Sequence, residues 1–269
     1  MPVKNSRDEF EKNQSGQWPV GGARSAASFV SLKFGLASRS ASGLNTDDSG
    51  RPRSISMPPS VKNRTVLVWK TAESVWSAEA AAVRRLRETM DPKMLSRCVT
   101  AIAQCQGRVL TVGCGTSGAA ARKIAHSLCC IERPAIFLAP GDALHGGLGL
   151  AQPSDLAILV SKAGNTREIV NLIAPLRAKH VPIIGVTENP DSALGRAADF
   201  LLRVKVEREP DEFNMLATAS TMVVVAVFDA ICVALMKITG YTPRQFAIIH
   251  PGGALGERLR AGAQRLKSR

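Results

Sequence analysis

Two short stretches place glycine and small hydroxyls where an apolar run hands over to a helical pattern. "GCGTSG" (113–118) follows "RVLTV", and "SKAGNT" (161–166) follows "LAILV". That combination suits an anion. Glycine lets backbone N–H groups approach a ligand, and the start of a helix offers unpaired donors and a partial positive charge. The candidate contacts are Gly115, Thr116 and Ser117 in the first stretch, and Ser161, Lys162, Gly164, Asn165 and Thr166 in the second. A third group, "TAST" (218–221), opens a long apolar segment and adds Thr218 and Ser220. Ser and Thr at one helix start can serve simply as caps. Two such loops on one sheet edge point instead to a phosphate monoester. Neither is a nucleotide signature: no G-K-[ST] occurs, and no acidic residue closes the second apolar run where a dinucleotide-binding unit carries its ribose partner.

Histidine is scarce, with His126, His145, His180 and His250. His145 sits in "HGG" and His250 in "HPGG". Glycine-rich loops lie at the surface and commonly carry function, so these two are candidate active-site groups. His126 and His180 fall on helical patterns and read as ordinary. Judged by spacing alone, Glu168 and Glu209 are solvated charges.

The elements that must position these residues follow from periodicity. Apolar runs at 108–113, 135–140, 156–161, 182–187 and 200–206 are separated by helical patterns at 117–130 and 166–179 and a short turn near 192–198. Near-continuous apolar strands joined by helices describe a parallel sheet covered on both faces. Right-handed crossovers then bring every strand's C-terminal end to one edge, which is where open α/β sheets bind ligands. Val68, Ala72, Val75, Trp76, Ala80 and Val83 recur at helical spacing ahead of the sheet. Asp91 and Pro92 open a second helix that runs to about Gln104. A long helix over 217–239, closed by Gly240, and a short one from Pro243 follow the last strand.

Net charge is +13 over 269 residues. Residues 1–64 hold ten Lys/Arg against five Asp/Glu, and 257–269 hold five against one, so most of the excess lies in the two ends. Basic tails attract phosphate polymers or anionic surfaces, but a solvated tail is the plainer reading. Aromatic residues are 4%, few for base stacking, and no winged-helix pattern precedes the sheet. Nucleic acid is therefore not an expected partner. The longest apolar stretch, 222–228, stops at Asp229, short of the ~20 residues of a membrane span, so a buried helix is expected. Six cysteines (98, 105, 114, 129, 130 and 232) form no C-x-x-C pair and have no histidine at ligand spacing. They read as reduced thiols in a cytoplasmic protein, without metal or other cofactor. Asp8, Glu9 and Glu11 without a following apolar segment argue against a signal peptide. Residues 1–63 read as a disordered or loosely packed basic extension, 64–260 as one domain and 261–269 as a basic tail.

The motifs converge on a family. "VGCGTSGAAARKIAHSL", "PGDALHGGLG", "VSKAGNTREI", "ENPDSALGRAAD" and "YTPRQFAIIHPGGALGERL" together resemble the SIS (sugar isomerase) domain, most closely the KpsF/GutQ group of D-arabinose 5-phosphate isomerases. The resemblance covers residues 66–260. It implies a flavodoxin-like three-layer α/β/α sandwich with a five-stranded parallel sheet, here preceded by N-terminal helices. It also implies a homotetramer, or at least a dimer, with active sites shared between subunits. Four of the family's functional positions correspond to His145, Glu168, Glu209 and His250. The family's lysine in the first glycine loop is replaced by Thr116, the second serine of its S-x-S-G-x-T loop is Ala163, and its Cys-Pro-Leu-Gly segment reads Asp211, Glu212, Phe213, Asn214. Lys162, one loop away, is expected to take over the missing charge. Paired CBS domains, usual in the group, are not part of this sequence.

The implied reaction moves a carbonyl between C1 and C2 through a cis-enediol. That needs a base to shuttle a proton between carbons and an acid to help open the ring. The resemblance assigns Glu209 as base, His250 from a neighbouring subunit as ring-opening acid/base, Glu168 as the group orienting it, and His145 as a contact to sugar hydroxyls. The alternative is a non-catalytic phosphosugar-binding regulator on the same fold.

Overall fold

The computed structural model describes residues 61–252. The expected N-terminal extension, apart from 61–63, and the C-terminal tail lie outside these residues. Within them, two helices, α1 (Val61–Thr89) and α2 (Pro92–Gln104), precede an alternation of strands and helices. Asp91 caps α2 as its sequence demands, accepting from Lys93 N at 2.8 Å ahead of Pro92.

Five strands follow: β1 (Val109–Gly113), β2 (Ala135–Phe137), β3 (Leu156–Val160), β4 (Ile183–Thr187) and β5 (Phe200–Arg203). All pair in parallel in the order β2-β1-β3-β4-β5, the flavodoxin-like order. The chain reverses its direction of travel across the sheet between β1 and β3. Those two strands and β4 are buried at every residue, whereas β2 and β5 at the edges are not. This explains why the apolar runs are unbroken in the middle of the sheet. It also explains why the edge strands are shorter than expected: β2 ends at Phe137 instead of 140, and β5 at Arg203 instead of 206, where pairing on one side runs out.

Side chains alternate between two cores. Val109, Ile158, Val160, Ile184 and Val186 face one side. There α2, α3 (Gly115–Cys129) and α7 (Ala219–Thr239) supply Ile102, Ile124, Leu128, Val227 and Phe228. Leu110, Val112, Ala157, Leu159 and Ile183 face the other. There α4 (Pro140–Leu144), α5 (Arg167–Ala178) and α6 (Ala193–Ala197) supply Ala143, Ile169, Leu172, Leu176 and Leu194. The three-layer sandwich is therefore present.

One feature departs from expectation. The 138–150 segment is not a plain glycine-rich loop: Pro140 starts α4, and a 3₁₀ turn covers Gly147–Leu150. α7 runs to Thr239, the end expected from the sequence; its most apolar 18-residue window has a mean hydropathy of 2.3, and the helix is long and apolar enough to cross a membrane by length and composition. Its Val223, Val227, Ile231 and Leu235 nevertheless lie in the core. It ends at Gly240 with φ +66°, the left-handed closure glycine favours. A short helix, α8 (Pro243–Ile249), follows, with Thr242 and Gln245 forming a capping box.

Candidate active site

The C-terminal ends of β1, β3 and β4 surround a small cavity of about 60 Å³, closed on the far side by α7. Its polar lining is Thr116, Ser117, Lys162, Thr187, Ser220 and Thr221. Its apolar floor includes Val160, Val186, Val204 and Val224. The cavity is small and open to solvent on one side.

Each loop has a local reason for its shape. After β1 the chain turns at Gly115, φ +54°, directly into α3, and the N-cap residue Cys114 makes no side-chain cap. A side chain at Gly113 would lie 2.6 Å from the Ser117 carbonyl oxygen, and one at Gly118 would lie 2.7 Å from the Gly113 carbonyl oxygen. The two glycines therefore let α3 begin hard against β1, with its first-turn donors at the cavity. After β3 the chain closes on itself. Ser161 Oγ accepts from Gly164 N at 3.1 Å and shares a 2.8 Å hydrogen bond with Thr166 Oγ1. Asn165 Oδ1 accepts from Ala193 N at 2.9 Å. Gly164, at φ +73°, leaves no room for a Cβ against Ser192.

Ser161 and Thr166 are therefore not cavity residues here, while Lys162 is. Strand alternation gives the reason. Val160 faces the α3/α7 side, so Ser161 falls on the α5 side and Lys162 returns to the cavity. Thr187 and Thr221 line the cavity, although the sequence reading does not single them out. A hydroxyl at the last position of an apolar strand, and the final residue of "TAST", are the signals that mark them.

The strongest electrostatic feature adjoins the cavity. Glu209 is fully buried. Its Oε1 accepts from Lys162 Nζ at 2.7 Å, and its Oε2 accepts from Thr218 N at 3.1 Å and Ser220 N at 3.2 Å. Its own N–H donates to Asn214 Oδ1 at 2.6 Å. Burial alone would push this carboxyl up. The Lys162 ammonium and the Ser220 and Thr218 donors outweigh burial and hold it below the usual carboxylate range. Asp211, next in the same segment, accepts from Phe213, Met215 and Leu216 N–H groups and fixes the turn that carries Asn214. Beside the Glu209 carboxylate, Thr218 Oγ1 is the one buried side-chain polar atom without a partner among the described residues.

The remaining expected residues lie elsewhere. Glu168 is exposed in the first turn of α5. It faces the β1–α3 turn closely enough that, after burial, its charge is the second cause pushing the Cys114 thiol up. His145 is exposed at the end of α4. His250 ends α8, stacked on Phe246 at 3.8 Å between ring centroids, with Nδ1 2.9 Å from the Phe246 carbonyl oxygen. Neither histidine lines the cavity. No group of three or more His, Cys, Asp or Glu side chains suited to a metal occurs among the described residues.

A five-stranded parallel sheet in the flavodoxin-like order, with a cavity lined by hydroxyls and one lysine at its topological switch point, defines a doubly wound α/β protein. Comparison with known proteins narrows the class: the SIS domain family profile matches residues 102–235, and the chain belongs to the SIS family. Arabinose 5-phosphate isomerase KdsD of Escherichia coli K12 is 43% identical over 155 residues, 58% of this chain and 47% of the relative. Arabinose 5-phosphate isomerase KpsF of Escherichia coli O6:H1 is 36% identical over 181 residues, 67% and 55% respectively. The chain thus spans about half the length of these curated relatives. Among solved structures, a candidate sugar-phosphate isomerase from Listeria monocytogenes superposes with a TM-score of 0.68 at 51% identity, covering 69% of this chain and 97% of that one. The protein c3406 of Escherichia coli CFT073, in complex with arabinose 5-phosphate, superposes with a TM-score of 0.66 at 27% identity, covering 72% and 100%.

Proposed function

We propose that this protein is an aldose–ketose isomerase of a sugar phosphate, with D-arabinose 5-phosphate and D-ribulose 5-phosphate as the default pair. The observation that carries the reading is the cavity at the β1/β3 switch point. There the uncapped first turn of α3, the Thr116 and Ser117 hydroxyls, and Lys162 converge on one cavity open to solvent. The names of the relatives support the substrate class. The phosphate docks against α3, and the sugar chain extends outward along the strand ends. Proton transfer between C1 and C2 requires a carboxylate or imidazole at that outer end. Glu168, His145 and His250 are the exposed or half-exposed candidates, none of them in the lining of this chain's own cavity.

His145 and His250 stand apart from the cavity, which favours a shared site completed by a second copy of the chain in a homotetramer or dimer. Large exposed apolar side chains support such assembly: Leu67, Val68, Trp69 and Trp76 on α1, and Phe213, Met215 and Leu216 beside the site. A reducing, cytoplasmic setting is supported by the six free cysteines.

The test is solvent exchange. The full-length protein is incubated with pentose and hexose phosphates in deuterated water, and NMR follows the C–H at the carbon next to the carbonyl. Deuterium incorporation with arabinose 5-phosphate is the expected result. Binding of sugar phosphates with no exchange in any of them would assign the protein to the regulators instead.

A further inference from the structure

We propose that Lys162 is the cation that holds the anionic end of the ligand, and that Glu209 is the positioning residue for Lys162 rather than the group that takes a proton from carbon. The inference rests on the phosphosugar reading above and assigns roles within that site. Lys162 is the only charged side chain in the cavity lining among the described residues. Its ammonium has three donors. One is engaged by Glu209 at 2.7 Å, and the side chain is 39% exposed, so the others are directed to open space. Thr116, at the turn into α3, contributes a hydroxyl but no charge.

Glu209 has the opposite character. A base must reach its proton within hydrogen-bond distance. This carboxylate is 0% exposed, and both its oxygens are engaged by donors from three separate residues. To accept a proton from substrate it would have to leave the ammonium and two backbone N–H groups while still buried. Its placement explains a second fact. The Thr218 and Ser220 N–H groups open α7, so an internal anion already occupies that helix start. The uncapped start of α3 remains for an external one. Glu209 thus ties three parts together: the loop after β3, the segment after β5, and the beginning of α7. The lysine is held at their junction, with the carboxylate screened from a dianionic ligand by the same ammonium.

Calorimetric titration of D-arabinose 5-phosphate and of inorganic phosphate into full-length variants tests this, alongside C–H exchange in deuterated water. Lys162→Met is expected to weaken binding of both probes about tenfold or more, the scale of a charge-assisted hydrogen bond. Lys162→Arg is expected to recover most of it. Glu209→Gln is expected to weaken binding severalfold, although it removes negative charge. Glu209→Asp, which keeps the charge but draws the acceptor back by one methylene, should weaken it in the same direction. In the Lys162→Met background, Glu209→Gln should cost nothing further. Unchanged affinity in Lys162→Met overturns the role of the lysine. Glu209→Gln and Glu209→Asp variants that bind as the wild type does but lose exchange a thousandfold make Glu209 the base and overturn its positioning role. A wild-type protein that binds neither probe overturns the whole assignment. Binding without exchange removes only the isomerase reading, and the affinity series still decides between the two roles.

Discussion

Two buried carboxylates sit at opposite ends of the sheet, and the difference between them separates scaffold from site. Asp155 precedes β3 at the N-terminal edge and is 3% exposed. Its oxygens accept from Arg108 N at 2.6 Å and Gln152 N at 2.9 Å. The Arg108 guanidinium stands 4.0 Å away. These partners join the start of β1 to the start of β3. Glu209 at the C-terminal edge is as well satisfied, but its half-exposed cation, Lys162, hydrogen-bonds it directly at 2.7 Å and lines the switch-point cavity, whereas Arg108, equally half-exposed, keeps its guanidinium 4.0 Å from Asp155. Burial of an acid is thus no sign of a site by itself. The informative feature is a directly bonded cation that also lines a cavity.

The largest effect should come from the scaffold acid. Asp155→Ala takes the acceptor from two part-buried N–H groups, those of Arg108 and Gln152, and empties a buried carboxylate site; at roughly 1–3 kcal/mol per group, less where water reaches it, unfolding in urea should show a loss of about 2–3 kcal/mol. Phosphosugar affinity of the protein that remains folded should not change. A loss of affinity at constant stability would erase the distinction drawn between the two acids.

The site acid should reveal itself through pH. Glu209 is held below its usual range when folded. Its contribution to stability is therefore present above the unfolded carboxylate value, about 4.3, and is lost as pH falls through the lower folded value. Lys162→Met removes the ammonium and leaves burial in place. The depression should shrink or reverse, and the variant should be less stable by about 2 kcal/mol at pH 7. That figure lies below the roughly 3–5 kcal/mol of a fully buried pair because Lys162 is partly exposed. The gap should close on acidification, as Glu209 protonates more readily in the variant. Urea titrations from neutral to acidic pH measure it, and a gap that stays constant with pH would mean that the pair is not coupled as described.

A smaller effect is expected at the mouth of α3. Ser117→Ala should weaken arabinose 5-phosphate binding about fivefold, the worth of one neutral hydrogen bond, and leave stability within about 0.5 kcal/mol. The reverse pattern would make Ser117 a helix-start residue with no ligand role.

How far this contrast is legible in the sequence depends on which residues carry it. The central strands can be read because Val109–Gly113, Leu156–Val160 and Ile183–Thr187 are covered on both faces and so have no charged interruption, the one internal hydroxyl, Thr111, being satisfied by the Ala121 carbonyl oxygen. Asp91 and Pro92 announce α2 for equally local reasons. Edge strands read too long because apolar residues continue past the point where pairing stops: after Val204, whose N–H still reaches the Thr187 carbonyl oxygen at 3.0 Å, Val206 is buried in the core outside β5. α4 escapes the sequence reading because Gly141, Gly146 and Gly147 outweigh one turn of helix begun by Pro140. The anion-binding loops are recognisable as a class, but the direction of each side chain is not. Ser161 and Lys162 exchange places depending on strand phase, which only the pairing of Val160 settles. Glu209 follows "RVKVER", an alternation that reads as a solvated edge, and the lysine that neutralises it is 47 residues away in the chain.

The smallest predicted change bears on the one loose end beside Glu209. The backbone N–H of Thr218 holds the carboxylate, yet its hydroxyl is buried without a partner. An unsatisfied buried hydroxyl is a cost to the fold, so Thr218→Val, which keeps the shape and removes the polar atom, should leave stability unchanged or raise it by up to about 1 kcal/mol. A residue kept for structure alone would then show no other effect. If the hydroxyl is instead held ready for the ligand, the same substitution should weaken arabinose 5-phosphate binding two- to fivefold while the protein melts no lower. Stability and affinity moving in opposite directions at Thr218, and neither moving that way at Asp155, would place the boundary between site and scaffold at the start of α7.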